Sequence, residues 1–347
     1  MASRRMLVFS LTAGLLVSGC GGDTRSPAPV PRTATMPAEP ATAGPLATRP
    51  AGRVVPVGNA PEGVVVGASG IAAVAVRQPD AIQLVDVATG AVRQSVPTRG
   101  AARHLGLAAP NGPVLVPLEG SNQLCELNFD GQTSATVAGV GRQPHDAAQT
   151  AGGTIVVTNE LGGGVVFVRD AAVVGSLPPG PAQPGGVAAV GDYAAVADVR
   201  GNGVWVYDGT SRQPRAHLPV GVKLTHAVGL SGDAAAFADT DGGAVLIERV
   251  DPQLTEVARV DAPGKPYGLA YDAARNRMYI TLTATNLMRV VDVSDTNRPR
   301  ILGDLPTVRQ PNSVAVDPRS GAVLVTGSAP GGDSGLQIIT PDELPRG

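Results

Sequence analysis

The sequence contains seven copies of a unit of about 40 residues. Each copy opens with a short step that resembles Pro-x-Gly, and the middle residues of the seven steps occupy positions 62, 104, 145, 185, 226, 267 and 312. Successive steps are therefore 40 to 45 residues apart. A fixed period in this range is the signature of a solenoid or a propeller. The repeat limits what the 347-residue chain can fold into more strongly than any of its other features.

Within each unit, short β-rich runs are separated by Gly, Asp and Asn turns. The first unit has such runs at residues 63–66, 71–76, 82–87 and 92–96. Runs of this length between turn residues are typical of an antiparallel meander. Aromatic residues make up only 3% of the chain, so the core must consist mainly of Val, Ala, Leu and Ile. Four strands in each of seven units predict an all-β fold, a seven-bladed β-propeller with four-stranded blades.

The two ends of the repeat region are complementary. Residues 53–57 precede the first unit and have the pattern of a fourth strand, whereas the last unit supplies only three runs, at 313–316, 322–326 and 336–340. We therefore expect the N-terminal strand to complete the last blade and close the ring, which removes the open edge of a linear array. The propeller domain is predicted to span residues 53–347.

The N-terminus has the features of an export signal. Arg4 and Arg5 precede an apolar run, residues 6–17, that is too short to cross a membrane as a helix, and residues 1–19 are predicted to be a signal peptide. Cys20 follows Val-Ser-Gly, which resembles a bacterial lipobox and implies lipidation at Cys20. The alternative is an ordinary signal peptide with a chance cysteine. Several acyl chains hold a protein stably, so we expect a lipid anchor at the cell membrane, on its extracytoplasmic face.

Residues 20–52 are rich in Pro, Ala and Thr and contain few large apolar side chains. Such a segment cannot bury enough surface to fold, so it is predicted to be a disordered linker. The net charge of −2 and the pI near 6.1 do not indicate the basic stripe that nucleic-acid binding needs, so we expect no nucleic-acid partner. Cys125, in an apolar run, is predicted to be a packed core residue. Three aspartates that end third strands are expected to cap turns: Asp86, Asp208 and Asp292.

Several short sequence segments resemble YVTN/NHL-type propeller repeats. They include Tyr279-Ile-Thr281 and Val290-Val-Asp-Val293, and the resemblance covers about residues 53–341. The final third, with Pro266-Tyr267-Gly268-Leu269, is similar to a group of actinobacterial lipoproteins. This resemblance implies the fold but no chemistry. Since Trp205 is the only Trp, the chain lacks the recurring Trp docking residues of quinoprotein propellers. We expect no cofactor, apart from a divalent metal ion, which the sequence leaves open.

Three of the four histidines occupy the same slot, the start of the innermost strand of a unit. In a propeller this strand lines the central channel, and its start lies on one face. The loops between second and third strands open on the same face and carry acidic residues. One mouth of the channel is therefore predicted to gather the ligand-binding residues Glu62, His104, His145, His226, Tyr267 and Asn312, with Asp198 and Asp239 from the loops.

The sequence leaves four roles open for these histidines. They are repeat residues that hydrogen-bond a neighbouring blade, contacts for a small ligand or peptide, ligands of Zn²⁺, Cu²⁺ or Ni²⁺, or one half of an acid/base pair such as His145 with Asp146 or Glu160. Blade five lies across a ring roughly 10 Å wide, so binding one ion with all three histidines is demanding. A His104–His145 pair with Glu119 or Glu160 is easier to build, and for a metal we expect His104, His145 and Glu160.

The chain has no Ser nucleophile elbow, no phosphate-binding loop, no Cys-x-x-Cys and no dinucleotide fingerprint, and no residue is predicted to be catalytic. The leading hypothesis is therefore a membrane-anchored binding or scaffold module whose partner is a small ligand or a cell-envelope protein. The alternative is a lactonase- or lyase-like propeller enzyme, or a metal-binding protein, that uses the His/carboxylate cluster at the channel mouth. Pockets at such a mouth suit both hypotheses.

Overall fold

The computed structural model describes residues 36–177, 180–328 and 334–347. The predicted signal peptide and Cys20 lie outside the described residues. In the described part, seven antiparallel sheets of four strands each follow one another along the chain. The fold is therefore a seven-bladed β-propeller, as the repeat predicts. In each blade the first strand lies innermost and the fourth lies at the outer edge.

The first three blades follow the repeat from the N-terminal side. Blade 1 contains β2 (Val64–Val66), β3 (Ile71–Val76), β4 (Ala81–Asp86) and β5 (Val92–Pro97). Blade 2 contains β6 (Gly106–Leu107), β7 (Val114–Leu118), β8 (Gln123–Leu127) and β9 (Thr133–Ala138). Blade 3 contains β10 (Pro144–Gln149), β11 (Ile155–Asn159), β12 (Val165–Arg169) and β13 (Ala172–Leu177).

The next three blades have the same order. Blade 4 contains β14 (Pro184–Val190), β15 (Tyr193–Asp198), β16 (Gly203–Asp208) and β17 (Gln213–Pro219). Blade 5 contains β18 (Leu224–Gly229), β19 (Ala234–Asp239), β20 (Ala244–Arg249) and β21 (Thr255–Asp261). Blade 6 contains β22 (Pro266–Asp272), β23 (Arg277–Leu282), β24 (Leu287–Asp292) and β25 (Arg300–Pro306), with a 3-10 turn at Thr283–Thr285.

Blade 7 closes the ring with strands from both ends of the domain. It contains β26 (Pro311–Val316), β27 (Val323–Gly327), β28 (Gly335–Ile339) and, as its outer strand, β1 (Arg53–Val55). β1 pairs antiparallel with β28, with Arg53 opposite Ile338 and Val55 opposite Leu336. This confirms the predicted closure. A 3-10 turn at Pro341–Glu343 follows, and none of the helical turns in the described residues is long and apolar enough to cross a membrane.

The core consists of seven apolar clusters in the described part of the chain, one between each pair of neighbouring blades. Side chains of one strand alternate between two clusters: Val74 of β3 packs toward blade 7, and its neighbour Ala73 packs toward blade 2. Because both faces of a blade are covered, second and third strands form continuous apolar runs. The outer strand β5 is mostly exposed. Burial of each Val or Leu contributes about 1.5–3 kcal/mol.

The Gly of the Pro-x-Gly step is required by the close approach of inner strands. A Cβ on Gly186 would lie 2.5 Å from the backbone nitrogen of Ala227 in blade 5, and a Cβ on Gly63 would lie 2.7 Å from the backbone oxygen of Arg103 in blade 2. Real Cβ atoms do not come this close to backbone atoms. The recurring Gly therefore lets neighbouring inner strands meet around the channel.

The aspartates at the ends of third strands cap turns. Asp86 Oδ1 accepts a hydrogen bond at 2.9 Å from the backbone N–H of Thr89, three residues later. Asp208 and Asp292 each accept a hydrogen bond from the backbone N–H of the residue two positions later. Cys125 is buried in the cluster between blades 1 and 2, and burial raises the pKa of its thiol. These residues therefore serve the fold.

Candidate functional site

The start of the inner strand brings the slot residues together at one mouth of the channel. His104, His145, His226, Tyr267 and Asn312 are all buried there. The ring centroid of His104 lies 4.5 Å from that of His145 and 4.1 Å from that of His226, and the rings of His226 and Tyr267 are 4.3 Å apart. The four rings therefore form one continuous group.

His104 and His226 meet across the ring, although they belong to blades 2 and 5. Nε2 of His226 lies 3.0 Å from Nδ1 of His104, so one ring donates a hydrogen bond to the other. Burial and the neighbouring cations hold the pKa of both rings well below the usual value, so both are neutral. The positions of blades 2 and 5 in the ring predict that these two histidines lie far apart. Their side chains in fact meet, because both extend into the channel.

His145 instead lies between two carboxylates. Its Nδ1 is 3.3 Å from Glu160 Oε2 and 3.6 Å from Glu119 Oε1. Burial opposes the charge of the imidazolium, but Glu160 and Glu119 outweigh it and raise the pKa of His145 to about 9. In return, although burial opposes ionisation, His145 lowers the pKa of Glu160 to about 2. His145 is therefore a buried cation at neutral pH.

A second buried cation, Arg103, lies beside this pair. Its Nε is 3.2 Å from Glu119 Oε1, and its Nη1 and Nη2 donate to the two carboxylate oxygens of Glu39 at 3.0 and 2.8 Å. The Arg103 side chain is 4% exposed, whereas Glu39 is 61% exposed. The guanidinium is thus fixed from behind and presents its paired N–H groups outward, a bidentate geometry that favours carboxylates.

Glu62 and Asn312, from blades 1 and 7, form the part of the mouth next to Arg103 and Glu119. Asn312 Nδ2 donates to Glu62 Oε2 at 3.0 Å, and Arg77 lies 3.7 Å from Glu62 Oε1 and 3.4 Å from Glu119 Oε2. Burial raises the pKa of Glu62, against the attraction of Arg103 and Arg77. The mouth is therefore lined by alternating positive and negative groups.

Asp198 and Asp239, which the sequence also places at the mouth, are used by their own loops. Asp198 accepts backbone N–H bonds from Gln183 and Gly201, and Asp239 accepts them from Val222 and Lys223. Both carboxylates, at the ends of second strands, thus hold the segments that lead into the first strands of blades 4 and 5. Asp146 likewise accepts hydrogen bonds from the backbone amides of Ala147 and Val187. The carboxylate partners of His145 are therefore Glu160 and Glu119.

Three groups at the mouth have the composition of a metal site. Ligand atoms of Glu119, His145 and Glu160 all lie within 4.8 Å of one another. His145 and Glu160 belong to the set expected from the sequence, and Glu119 is the carboxylate that the sequence offers as the alternative to Glu160; His104 is not part of the group. Imidazole nitrogen and carboxylate oxygen are the donors that Zn²⁺ binds in three-ligand sites, so the donor set fits such an ion.

Below the mouth, the inner strands enclose a channel of about 370 Å³. His104 and His226 stand at its upper end, and small residues such as Ala188 and Gly229 line its wall. Burial raises the pKa of Asp146, which also lines the channel, to about 6, against its amide hydrogen bonds. Most of the charged groups thus lie at the mouth, above a channel whose lining residues are mainly Val, Ala, Leu and Gly.

The described part of the predicted linker, residues 36–52, contains no helix or strand, but residues 36–44 lie across the mouth. The N–H of Ala38 donates to Glu160 Oε1 at 2.6 Å, and its C=O accepts from the Tyr267 hydroxyl at 3.3 Å. Ala38 and Ala43 are buried. The mouth is therefore covered by the chain's own N-terminal segment.

Sequence reasoning missed Arg103 and Glu39, and each has a signal. Arg103 stands where most other units have the Pro of the Pro-x-Gly step, so it departs from its own repeat. Glu39 is the only charged residue between Arg32 and Arg49. A charge that breaks a repeat or stands alone in a neutral linker is a candidate for a specific ion pair.

The sequence matches no known protein-family model and none of the curated proteins. Many solved structures share the fold. A chain of Kuenenia stuttgartiensis hydrazine synthase has a TM-score of 0.69 at 16% identity, over 82% of this chain and 96% of that chain. Virginiamycin B lyase from Staphylococcus aureus has 0.66 at 13%, over 81% and 95%. The RRP9 WD40 repeats have 0.71 at 14%, over 84% and 99%.

These likenesses define the class of the protein, a seven-bladed β-propeller. The similar structures include an enzyme, the lyase, and a WD40 repeat protein. At identities of 13 to 16% they carry the fold and no function. The evidence for the function of this chain therefore comes from the residues at its channel mouth.

Proposed function

We propose that the protein is a lipid-anchored, extracytoplasmic binding module whose channel mouth recognises a carboxylate on a small ligand or a cell-envelope protein. The observation that carries this proposal is Arg103, a guanidinium that is 4% exposed and pairs with an exposed carboxylate through two N–H groups. Glu119 holds the guanidinium from behind, so the donors are already oriented. Preorganised, desolvated donors bind a carboxylate better than a mobile surface Arg does.

The binding test uses the chain from residue 24 to 347, which retains every residue that the structure describes. Glu39→Ala removes the internal carboxylate, and N-acetylglutamate is the probe. We expect the probe to raise the melting temperature of Glu39→Ala, and Arg103→Lys in the same background to abolish this rise. Arg93→Met, which removes an exposed Arg on β5, is the matched control and should leave it unchanged. A rise that persists in Arg103→Lys would overturn the proposal.

The anchor rests on the lipobox resemblance at Cys20. Because thioether-linked and amide-linked acyl chains add a large apolar mass, the intact protein should partition into the membrane fraction with a mass above that of the peptide. Cys20→Ser should leave the protein unprocessed by the lipoprotein route, with no acyl mass. A wild-type protein of bare peptide mass contradicts the anchor.

A second candidate function, divalent metal binding, is favoured by the convergence of Glu119, His145 and Glu160. A bound Zn²⁺ would supply a Lewis acid, which is the chemistry that the hydrolase or lyase alternative needs. Metal content by mass spectrometry tests it: one equivalent should be bound, lost in Glu160→Gln and retained in His104→Ala. Absence of metal after equilibration with Zn²⁺ refutes this candidate.

A further inference from the structure

Residues 36–44 are held to the mouth mainly by backbone groups. Besides the two bonds at Ala38, Arg103 Nη1 approaches the C=O of Ala38 at 3.4 Å, and Gln183 Nε2 donates to the C=O of Met36 at 3.0 Å. Gln183 also donates to Glu160 at 3.2 Å. Blades 2, 3, 4 and 6 thus contribute to one short stretch of chain.

A second group of contacts lies a few residues further on. The N–H of Ala43 donates to Gln310 Oε1 at 3.3 Å, and Arg309 Nη2 donates to the C=O of Ala43 at 3.2 Å. Asn286 Nδ2 donates to the C=O of Gly44 at 3.0 Å. The segment therefore crosses the mouth from blade 4 to blade 7, with a fixed point on each side.

The side chains of this segment contribute little besides one charge. Met36 is exposed, Ala38 and Ala43 are small, and none of the segment's residues joins an apolar cluster of the ring. Pro37 and Pro40 flank Ala38 and Glu39 and favour an extended backbone. An extended peptide from another protein can present the same backbone groups and one carboxylate. Recognition of extended peptides commonly combines main-chain hydrogen bonds with a few specific side-chain contacts.

We infer that the ligand of the mouth is an extended peptide segment of another protein, in which a small residue precedes an acidic one, and that residues 36–44 are a tethered occupant of the same site. This inference rests on the proposed function. The partner's backbone would donate an N–H to Glu160 and accept the Tyr267 hydroxyl at a C=O, and its acidic side chain would pair with Arg103. A tethered occupant acts at an effective concentration on the order of millimolar, so only a partner that displaces it binds.

The experiment uses the same 24–347 chain and a fluorescent peptide with the sequence of residues 36–44. Anisotropy should report binding to Glu39→Ala at least tenfold tighter than to the wild type, because the internal competitor has lost its carboxylate. Thr42→Ala, an exposed position in the same segment, is the matched control and should bind as the wild type does. A peptide that carries Ala in place of its Glu should lose at least tenfold in affinity for Glu39→Ala.

Hydrogen exchange of the Ala38 and Ala43 amides provides the independent readout. We expect protection in the wild type, and loss of protection at Ala38 in Glu39→Ala. If the segment stays protected and the peptide binds Glu39→Ala no better than the wild type, residues 36–44 are a fixed part of the fold and the inference is overturned. If N-acetylglutamate still binds through Arg103 in that case, the proposed function stands. If N-acetylglutamate binding does not depend on Arg103 and the peptide binds Glu39→Ala no better than the wild type, both fail.

Discussion

Glu248 is a buried acid whose replacement should stabilise the ring in a pH-dependent way. It lies on β20 two residues after Leu246, on the strand face that packs toward blade 4. The residue is 0% exposed, and neither carboxylate oxygen has a hydrogen-bond partner among the described residues. Burial, with a smaller contribution from the charge of Glu256, raises the pKa of Glu248 to about 7. The folded protein therefore favours the neutral acid.

The sign and size of the effect follow from this pKa. An unfolded Glu ionises near its ordinary pKa of 4.5, so between about pH 4.5 and 7 the native state holds one proton more than the unfolded state. The free energy of unfolding consequently falls as the pH rises through this window, and the loss is complete above about pH 7. At about 1.4 kcal/mol per pKa unit the upper limit is about 3 kcal/mol. Solvent relaxation around the charge reduces our expectation to about 2 kcal/mol.

Glu248→Gln removes the ionisation and keeps the shape. Urea unfolding of the 24–347 chain should give nearly equal free energies for wild type and Glu248→Gln at pH 4, below the unfolded pKa, and a variant more stable by about 2 kcal/mol at pH 8. Asp342→Asn, at a side chain that is 94% exposed, is the control and should follow the wild type at both pH values. Equal stabilities of wild type and Glu248→Gln at pH 8 would refute the reasoning.

Three further predictions concern the mouth, the closure and the thiol. Arg103→Ala should lower the free energy of unfolding by about 2 kcal/mol or more, since the largely buried Glu119 loses the nearer of its two guanidinium partners and keeps only Arg77; a urea transition within 1 kcal/mol of wild type argues against this ion pair. Val55→Asp should destabilise the closure between β1 and β28 by about 2 kcal/mol or more, and the exposed Val92→Asp should not, when both are followed by thermal unfolding. Cys125 should resist maleimide in the native 24–347 chain and react with one equivalent in urea; fast labelling of the folded protein would contradict its burial.

The fold was predictable because every repeat carries the same local information. Strand length, turn residues and the missing fourth strand of the last unit are all visible in one sequence, and the pairing of Arg53 with Ile338 confirms the closure that they predict. The turn-capping role of Asp86 follows from its place at a strand end. These features depend on residues that are neighbours in the chain or on the number of repeats. Both can be read directly from the sequence.

The candidate site was predictable only in part. The common slot identified His104, His145 and His226, because equivalent positions in a ring must lie on the same face. The slot does not say which side chains touch. His226 reaches His104 across the channel, and His145 turns toward Glu160, because the width of the ring and the packing of each side chain decide these distances.

The sequence by itself determined the number of blades, their strands, the closing of the ring and the face on which the histidines gather. Only the tertiary structure decided that Arg103 and His145 form buried ion pairs, that Asp198 and Asp239 serve their own loops, and that residues 36–44 cover the mouth. The physical reason is the range of the interactions involved. Strands and turns follow from contacts along the chain, whereas Glu39 and Arg103 are 64 residues apart in the sequence and pair only in the tertiary structure.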